Sequence, residues 1–243
     1  MRGVVVFFVV TFGLLFGFAV AQQPDPNALL EAARLNAIAQ NQDLKGKIRK
    51  ETPKRRIQFP IGLFLRGENI QFNYNQPGTG KPQRIHMSHA QGKFGVWEMQ
   101  PNGQKKAFPS SQLGKAIEDT DLSYEDLAMR FLHWQKAVLK GEEKVGKYSC
   151  WLVQADNPGK AGRYHRCKVW IHKDSGALVQ VEGFDPNGRA LRRFKITDLM
   201  TVNGKKTVRR MRVDSLNPAS GRSTGVTYLE FDRPKKIVPG KLR

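Results

Sequence analysis

Between Arg56 and Arg66, Ile57, Phe59, Ile61, Leu63 and Leu65 take every second position. Only an extended strand gathers such a set on one face; a helix would spread it around its circumference. The same period recurs on either side. Leu44 to Thr52 places Leu44, Gly46, Ile48 and Lys50 on one side, and Asn69 to Asn75 alternates through Ile70, Phe72 and Tyr74. Turn residues separate these runs at Glu68-Asn69 and Gln76–Pro82, and later at Pro101–Gly103, Asp185–Gly188, Asn203-Gly204 and Asn217–Gly221. The pattern predicts two strands over Arg84–Met99 that turn near Gln91-Gly92, with Phe94, Val96 and Trp97 facing inward or lying at a rim. Further strands are predicted at Lys105–Phe108, Ala177–Phe184, Arg189–Asp198, Lys206–Leu216 and Ser223–Asp232. With the hairpin described below, these runs make one long series of strands. An antiparallel meander of that length curls into a half-barrel or barrel.

Two stretches break the strand pattern. Asn27 to Asn41 reads as a helix, with Asn27 as cap, Glu31 in its first turns and an apolar stripe of Leu30, Ala33, Ala37 and either Leu35 or Ile38. Ser110 to Lys140 reads as a second helical region. Ser123 is its cap, Glu125 and Asp126 stand where a helix dipole favours anions, and Leu127, Phe131 and Trp134 follow at helical spacing.

Residues 1–21 have the form of a cleavable secretory signal: Arg2, an uncharged apolar run from Val4 to Phe18, then Ala19-Val-Ala21. Gln22 follows instead of the cysteine that a lipoprotein would need. The expected organisation is therefore a signal at 1–21 and one domain over 22–243, exported to the periplasm. Export permits disulfides. The two cysteines lie in one predicted hairpin, Lys147–Ala155 and Arg163–Ile171, joined by the turn-rich Asp156–Gly162. Folded about Gly159 and Lys160, it sets Cys150 opposite Cys167 and places Tyr148, Cys150, Leu152, Cys167, Val169 and Ile171 on one face. That register predicts a Cys150–Cys167 disulfide.

The formal charge of +20 implies anionic partners. Basic residues cluster at Lys45–Arg56, Arg189–Lys195, Lys205–Arg212 and Arg233–Arg243. These are a solvated convex face or a docking surface for an anionic membrane or acidic protein segments. Nucleic acid is disfavoured in an exported compartment; Trp151, Tyr164, Arg166, Lys168 and Trp170, on one predicted hairpin face, are the aromatic and basic mixture that speaks for it. Local motifs for catalysis are missing. Gly78-Thr-Gly-Lys81 lacks the Walker spacing and is followed by Pro82. His86 and His89 fall on opposite faces of a predicted strand, and the cysteines are too far apart in sequence for a CxxC centre. The reading is non-enzymatic, with no cofactor and no metal.

Thr120–Leu127 (TDLSYEDL) and Lys168–Leu199 (KVWIHKDSGALVQVEGFDPNGRALRRFKITDL) resemble the LolA-like outer-membrane lipoprotein-sorting family. More loosely the similarity covers most of the mature chain: signal, N-terminal helix, meander, central helix, meander. It implies an incomplete antiparallel β-barrel, or strongly curved sheet, with helices plugging the open side over an apolar cavity. It further implies a periplasmic carrier for acyl chains of lipoproteins or other lipids such as phospholipid, handing them between membrane-protein donors and acceptors. Inward positions Phe59, Ile61, Leu63, Leu65, Phe72, Leu152 and Val169 are then candidate cavity residues, although the same faces also read as packed core. The alternative is a periplasmic regulatory or envelope protein-binding module of the same fold.

Overall fold

The computed structural model describes residues 23–38, 41–52, 56–90, 93–159 and 161–233. The signal at 1–21, the Gln91-Gly92 turn and the tail beyond Arg233 lie outside the described residues, wholly or in part. A helix, α1 (Pro26–Ile38), leads into six strands: β1 (Gln42–Glu51), β2 (Arg56–Arg66), β3 (Asn69–Asn75), β4 (Pro82–Ser88), β5 (Gly95–Met99) and β6 (Lys105–Ala107). A connecting segment holds one short α-helix, α2 (Tyr124–Leu127). Seven strands follow: β7 (Val138–Val145), β8 (Tyr148–Asp156), β9 (Arg166–His172), β10 (Leu178–Phe184), β11 (Ala190–Val202), β12 (Lys205–Leu216) and β13 (Ser223–Phe231). All thirteen form one antiparallel sheet in the order β6-β5-β4-β3-β2-β1-β13-β12-β11-β10-β9-β8-β7. β6 and β7 are its two edges, so the curved sheet does not close into a barrel.

The period-two alternation decides which face is inside. Leu44 lies opposite Leu63, Leu63 opposite Phe72 and Phe72 opposite Ile85. One row of apolar side chains thus crosses four strands on the inner face. Ile48 likewise joins Phe59 to Leu229, and Leu229 meets Met211. These residues belong to, or pack against, one core that also takes Leu30 and Ala33 of α1 and Ile117, Leu122, Leu127, Phe131 and Trp134 of the connecting segment. The apolar inner wall and its covering segments bury one another, which is the dominant stabilising term for a sheet with a single apolar face.

Four sequence expectations are corrected. First, Cys150 lies opposite His172, and Cys167 opposite Ala155. The slip is by an odd number of residues, which reverses the face of every side chain in the strand. Cys167 joins the main core, whereas Cys150 sits with Val145, Leu152, Trp170 and Val179 in a separate outer cluster. Both thiols are free, and no rotamer can bring them together across the sheet. The cause is Arg163–His165, expected in the strand but held in the connection. The Arg163 amide donates to Glu125 (2.7 Å), the Tyr164 hydroxyl to Asp126 (2.6 Å) and the His165 amide to the Phe184 carbonyl (2.9 Å). The same slip puts Trp151 and Trp170 on opposite faces, and Tyr164 is buried, so the expected aromatic and basic hairpin face does not form.

Second, Ser110–Lys140 is no long helix. It contains α2 and two 3₁₀ turns, Ser110–Gln112 and Arg130–His133, interrupted by left-handed backbone at Glu118, Asp119, Met129 and Lys136. Third, its last residues begin β7, an edge strand hidden by its charged Lys-Gly-Glu-Glu-Lys centre. Fourth, Asp25 rather than Asn27 caps α1, accepting from the amides of Asn27 and Ala28 at 3.1 and 3.3 Å. The α1 stripe is led by Leu30 and Ala33, and Leu35 turns outward at 39 % exposure.

Candidate functional site

Six of the seven candidate lining residues converge on the inner face. Phe59, Ile61, Leu65 and Phe72 are buried in the main core on β2 and β3, and Val169 is buried in it on β9. Leu63 is half-buried and packs against the same core. Leu152 does not join them. It lies opposite Trp170 on the outer face, in the cluster with Cys150, because of the same register slip.

The inner wall is covered by α1 and by the 108–137 segment, and the apolar contacts between them are framed by polar attachments. The first begins at Ser123. It caps α2 in a reciprocal box: its hydroxyl accepts from the Asp126 amide and its amide donates to the Asp126 carboxylate at 2.7 Å. The other carboxylate oxygen of Asp126 accepts from the Tyr164 hydroxyl, and Arg192 on β11 stands 3.9 Å away. Burial raises the Asp126 pKa, against the pull of Arg192 and the hydrogen bonds. Next to it Glu125 is fully buried. It accepts from the Arg163 amide, and Arg130 lies 3.5 Å from its second oxygen. Burial dominates and pushes the Glu125 pKa up to about 7. Two glycines make this packing possible. A Cβ at Gly162 would fall 2.2 Å from the Glu125 carboxylate, and one at Gly183 would fall 2.4 Å from the Tyr164 ring.

A second attachment joins Lys50 of β1 to Asp121 at 3.3 Å, and the hydroxyls of Ser215 and Thr227 donate to the same carboxylate at 2.6 and 2.9 Å. A third joins the hydroxyls of Tyr74 and Tyr124 at 2.9 Å, with Tyr74 also donating to Glu118. The fourth anchors α1. Buried Arg34 donates to Glu68 at 2.9 Å and to the His89 carbonyl at 3.0 Å. His89 is itself buried, with its Nδ1 2.6 Å from Nε2 of His133. Burial, His133 and Arg34 together lower its pKa to about 4, so the ring is neutral near pH 7.

Glu125 and Asp126 therefore act through burial and specific partners. A four-residue helix has too little dipole to account for them, as the sequence reading had it. The partners Tyr164, Arg192, Ser215 and Thr227 come from distant strands and loops and carry no local sequence signal. Among the described residues no group of three or more His, Cys, Asp or Glu is placed to hold a metal ion. Two shallow depressions open elsewhere. One of about 290 Å³ lies on the outer face, lined by Phe64, Arg66, Asn69, Gln71 and His86. One of about 570 Å³ lies between Ser110–Gly114 and Ala161–Arg163. Among the described residues no helix is long and apolar enough to cross a membrane.

Comparison with known proteins supports this architecture. A LolA superfamily protein from Nitrosomonas europaea shares the fold at a TM-score of 0.66 and 16 % identity, covering 87 % of this chain and 93 % of its own. An outer membrane lipoprotein-sorting protein domain from Vibrio parahaemolyticus matches at 0.66 and 18 % identity, covering 86 % and 92 %. A DUF1329 family protein from Desulfovibrio piger matches at 0.64 and 18 % identity, with the same coverage of 86 % and 92 %. No curated protein matches the chain. Residues 77–238, more than half of the sequence, match a family model described as "Uncharacterized protein". The chain belongs to the family that this model defines, and its fold is that of the LolA-like lipoprotein-sorting proteins.

Proposed function

We propose that this protein is a non-catalytic carrier that holds acyl chains, of lipoproteins or of phospholipid, against the inner wall of its sheet. In this reading residues 1–21 direct export to the periplasm, and 22–243 form the single carrier domain. The supporting observation is the way the wall is covered. Phe59, Ile61, Leu63, Leu65, Phe72 and Val169 present a continuous apolar surface whose cover is short turns and one helix, held at the rim by polar side chains. Displacing such a cover exposes apolar wall without breaking a single ladder of the sheet. A lipid chain then replaces the contacts made by Ile117, Leu122 and Phe131. The exchange is near balance when cover and cargo bury similar apolar area, which suits a protein that must release what it binds. The fold likeness to lipoprotein-sorting proteins points the same way.

The chemistry at the rim favours transport over catalysis. Both oxygens of Asp126 accept from structural donors, and Glu125 accepts from the Arg163 amide with Arg130 beside its other oxygen, so their role is to hold the cover. Purification without detergent, followed by organic extraction and mass spectrometry, tests the proposal. Co-purifying lipid, together with saturable binding of a fluorescent fatty acid by the stripped protein, is the expected result. Absence of both rejects the carrier.

A further inference from the structure

The outer face of the sheet carries a lopsided charge. Lys47, Arg49 and Arg210 converge on one carboxylate, Glu230, at 3.9, 3.3 and 3.0 Å. Glu230 faces outward because Leu229 and Phe231 on either side of it are buried inward. Its pKa is held below the usual range by the Arg49 hydrogen bond and the surrounding cations, against the effect of burial, so it already contributes its full negative charge. Glu51 also pairs with Arg49 at 2.8 Å and Asp214 with Arg212 at 2.7 Å, but the cations of this face still outnumber its carboxylates. Beside this group Lys45 on β1 and Lys195 on β11 have no ion pair among the described residues. The strand register aligns the excess. Lys195, Arg212, Tyr228 and Arg49 stand directly opposite one another across β11, β12, β13 and β1, with Arg210, Glu230 and Lys47 in a parallel row. At the usual strand spacing each such row spans on the order of 10–15 Å.

The same face ends in an apolar side chain. Met200 on β11 is buried inward, so its neighbour Leu199 points out and is 42 % exposed, opposite the half-buried Val208 of β12. We propose that this outer face of β1, β13, β12 and β11 docks on the surface of an anionic phospholipid bilayer, its cations on the headgroups and Leu199 in the interfacial layer. Two rows of cations side by side on one sheet face fit a layer of headgroups. A nucleic acid would need free aromatic platforms, and Tyr228 already lies under the Arg49 guanidinium at 4.6 Å. An exposed leucine gives no contact to a polyanion but is a second anchor at a lipid interface. The docking deepens the carrier reading by supplying the surface where cargo is exchanged, yet the binding itself requires no cargo.

The test is co-sedimentation of the full mature chain with mixed phosphatidylglycerol–phosphatidylcholine vesicles and with pure phosphatidylcholine vesicles. Binding to the mixed vesicles alone, weakened by salt, is expected. Each lysine near an anionic surface is worth about fivefold in affinity, so Lys45→Gln with Lys195→Gln weakens binding roughly 25-fold. Both side chains lie outside every ion pair described above, so the fold is retained. The matched pair Lys106→Gln and Lys144→Gln, exposed lysines on the two edge strands, removes the same charge and has a much smaller effect. Leu199→Ser weakens binding but leaves its salt dependence unchanged. Equal binding to both vesicle types, or equal losses for the two lysine pairs, overturns the proposal. So does binding of a short DNA duplex that needs Lys45 and Lys195 while vesicles are ignored. A protein that takes up a fatty-acid probe normally but ignores vesicles refutes the docking and leaves the carrier reading standing.

Discussion

Glu125 should make the protein less stable as pH rises through neutrality. Its carboxyl is fully buried, and burial raises its pKa from 4.5 to about 7. The folded state thus holds the proton more tightly than the unfolded chain does. The favourable contribution of the neutral acid is fully present below 4.5 and is lost as pH rises through 7. A shift of this size corresponds to about 3 kcal/mol between the two ends of the window. Glu125→Gln keeps an oxygen acceptor for the Arg163 amide, and Arg130 keeps its bond to the Ala161 carbonyl. Any loss from the weaker acceptor is independent of pH, so only the slope reports the ionisation. Urea denaturation of both proteins on either side of the window supplies the measurement. The difference in unfolding free energy should move by about 3 kcal/mol in favour of the glutamine variant as pH rises. Parallel pH profiles for the two proteins would show that Glu125 ionises without penalty and refute this account of the rim.

Other consequences follow from named contacts. His89 has the opposite slope: its pKa is lowered to about 4, so its contribution is present above 6.5 and lost as pH falls toward 4. His89→Asn should flatten the acid limb of the stability profile, and an unchanged acid limb speaks against a buried neutral ring. Tyr164→Phe removes the hydroxyl that donates to the Asp126 carboxylate and should cost about 1.5–3 kcal/mol in urea titration, with the effect shrinking where Asp126 is protonated. Thiol titration of the denatured protein should find both Cys150 and Cys167 reduced, and a reductant should leave its melting temperature unchanged; an oxidised pair would mean that the β8–β9 register is wrong.

The strands of the two meanders were legible because their alternation has no competing interpretation. β2 and β3 begin and end where the sequence pattern of Arg56–Arg66 and Asn69–Asn75 does, and the inner face they predict is the observed one. The Ser123 cap was also readable, since it depends on residues three apart. What failed depended on distant partners. The β8–β9 register turns on Tyr164 leaving the hairpin for Asp126, a contact between residues 38 apart that no local pattern contains. Leu152 and the cysteines were misplaced with it, because one register error changes the face of an entire strand. The helical spacing of Leu127, Phe131 and Trp134 was real in its burial but not in its backbone. All three are buried, yet left-handed Met129 interrupts the helix between them.

The claim that the inner wall receives acyl chains is tested most directly by photo-crosslinking with a diazirine-bearing fatty acid and mapping the labelled peptides. The account predicts label on the β2, β3 and β9 peptides that carry Phe59, Ile61, Phe72 and Val169, with competition by unlabelled fatty acid. Label confined to outer-face positions such as Phe64 and Leu199, or label that does not compete, would contradict it.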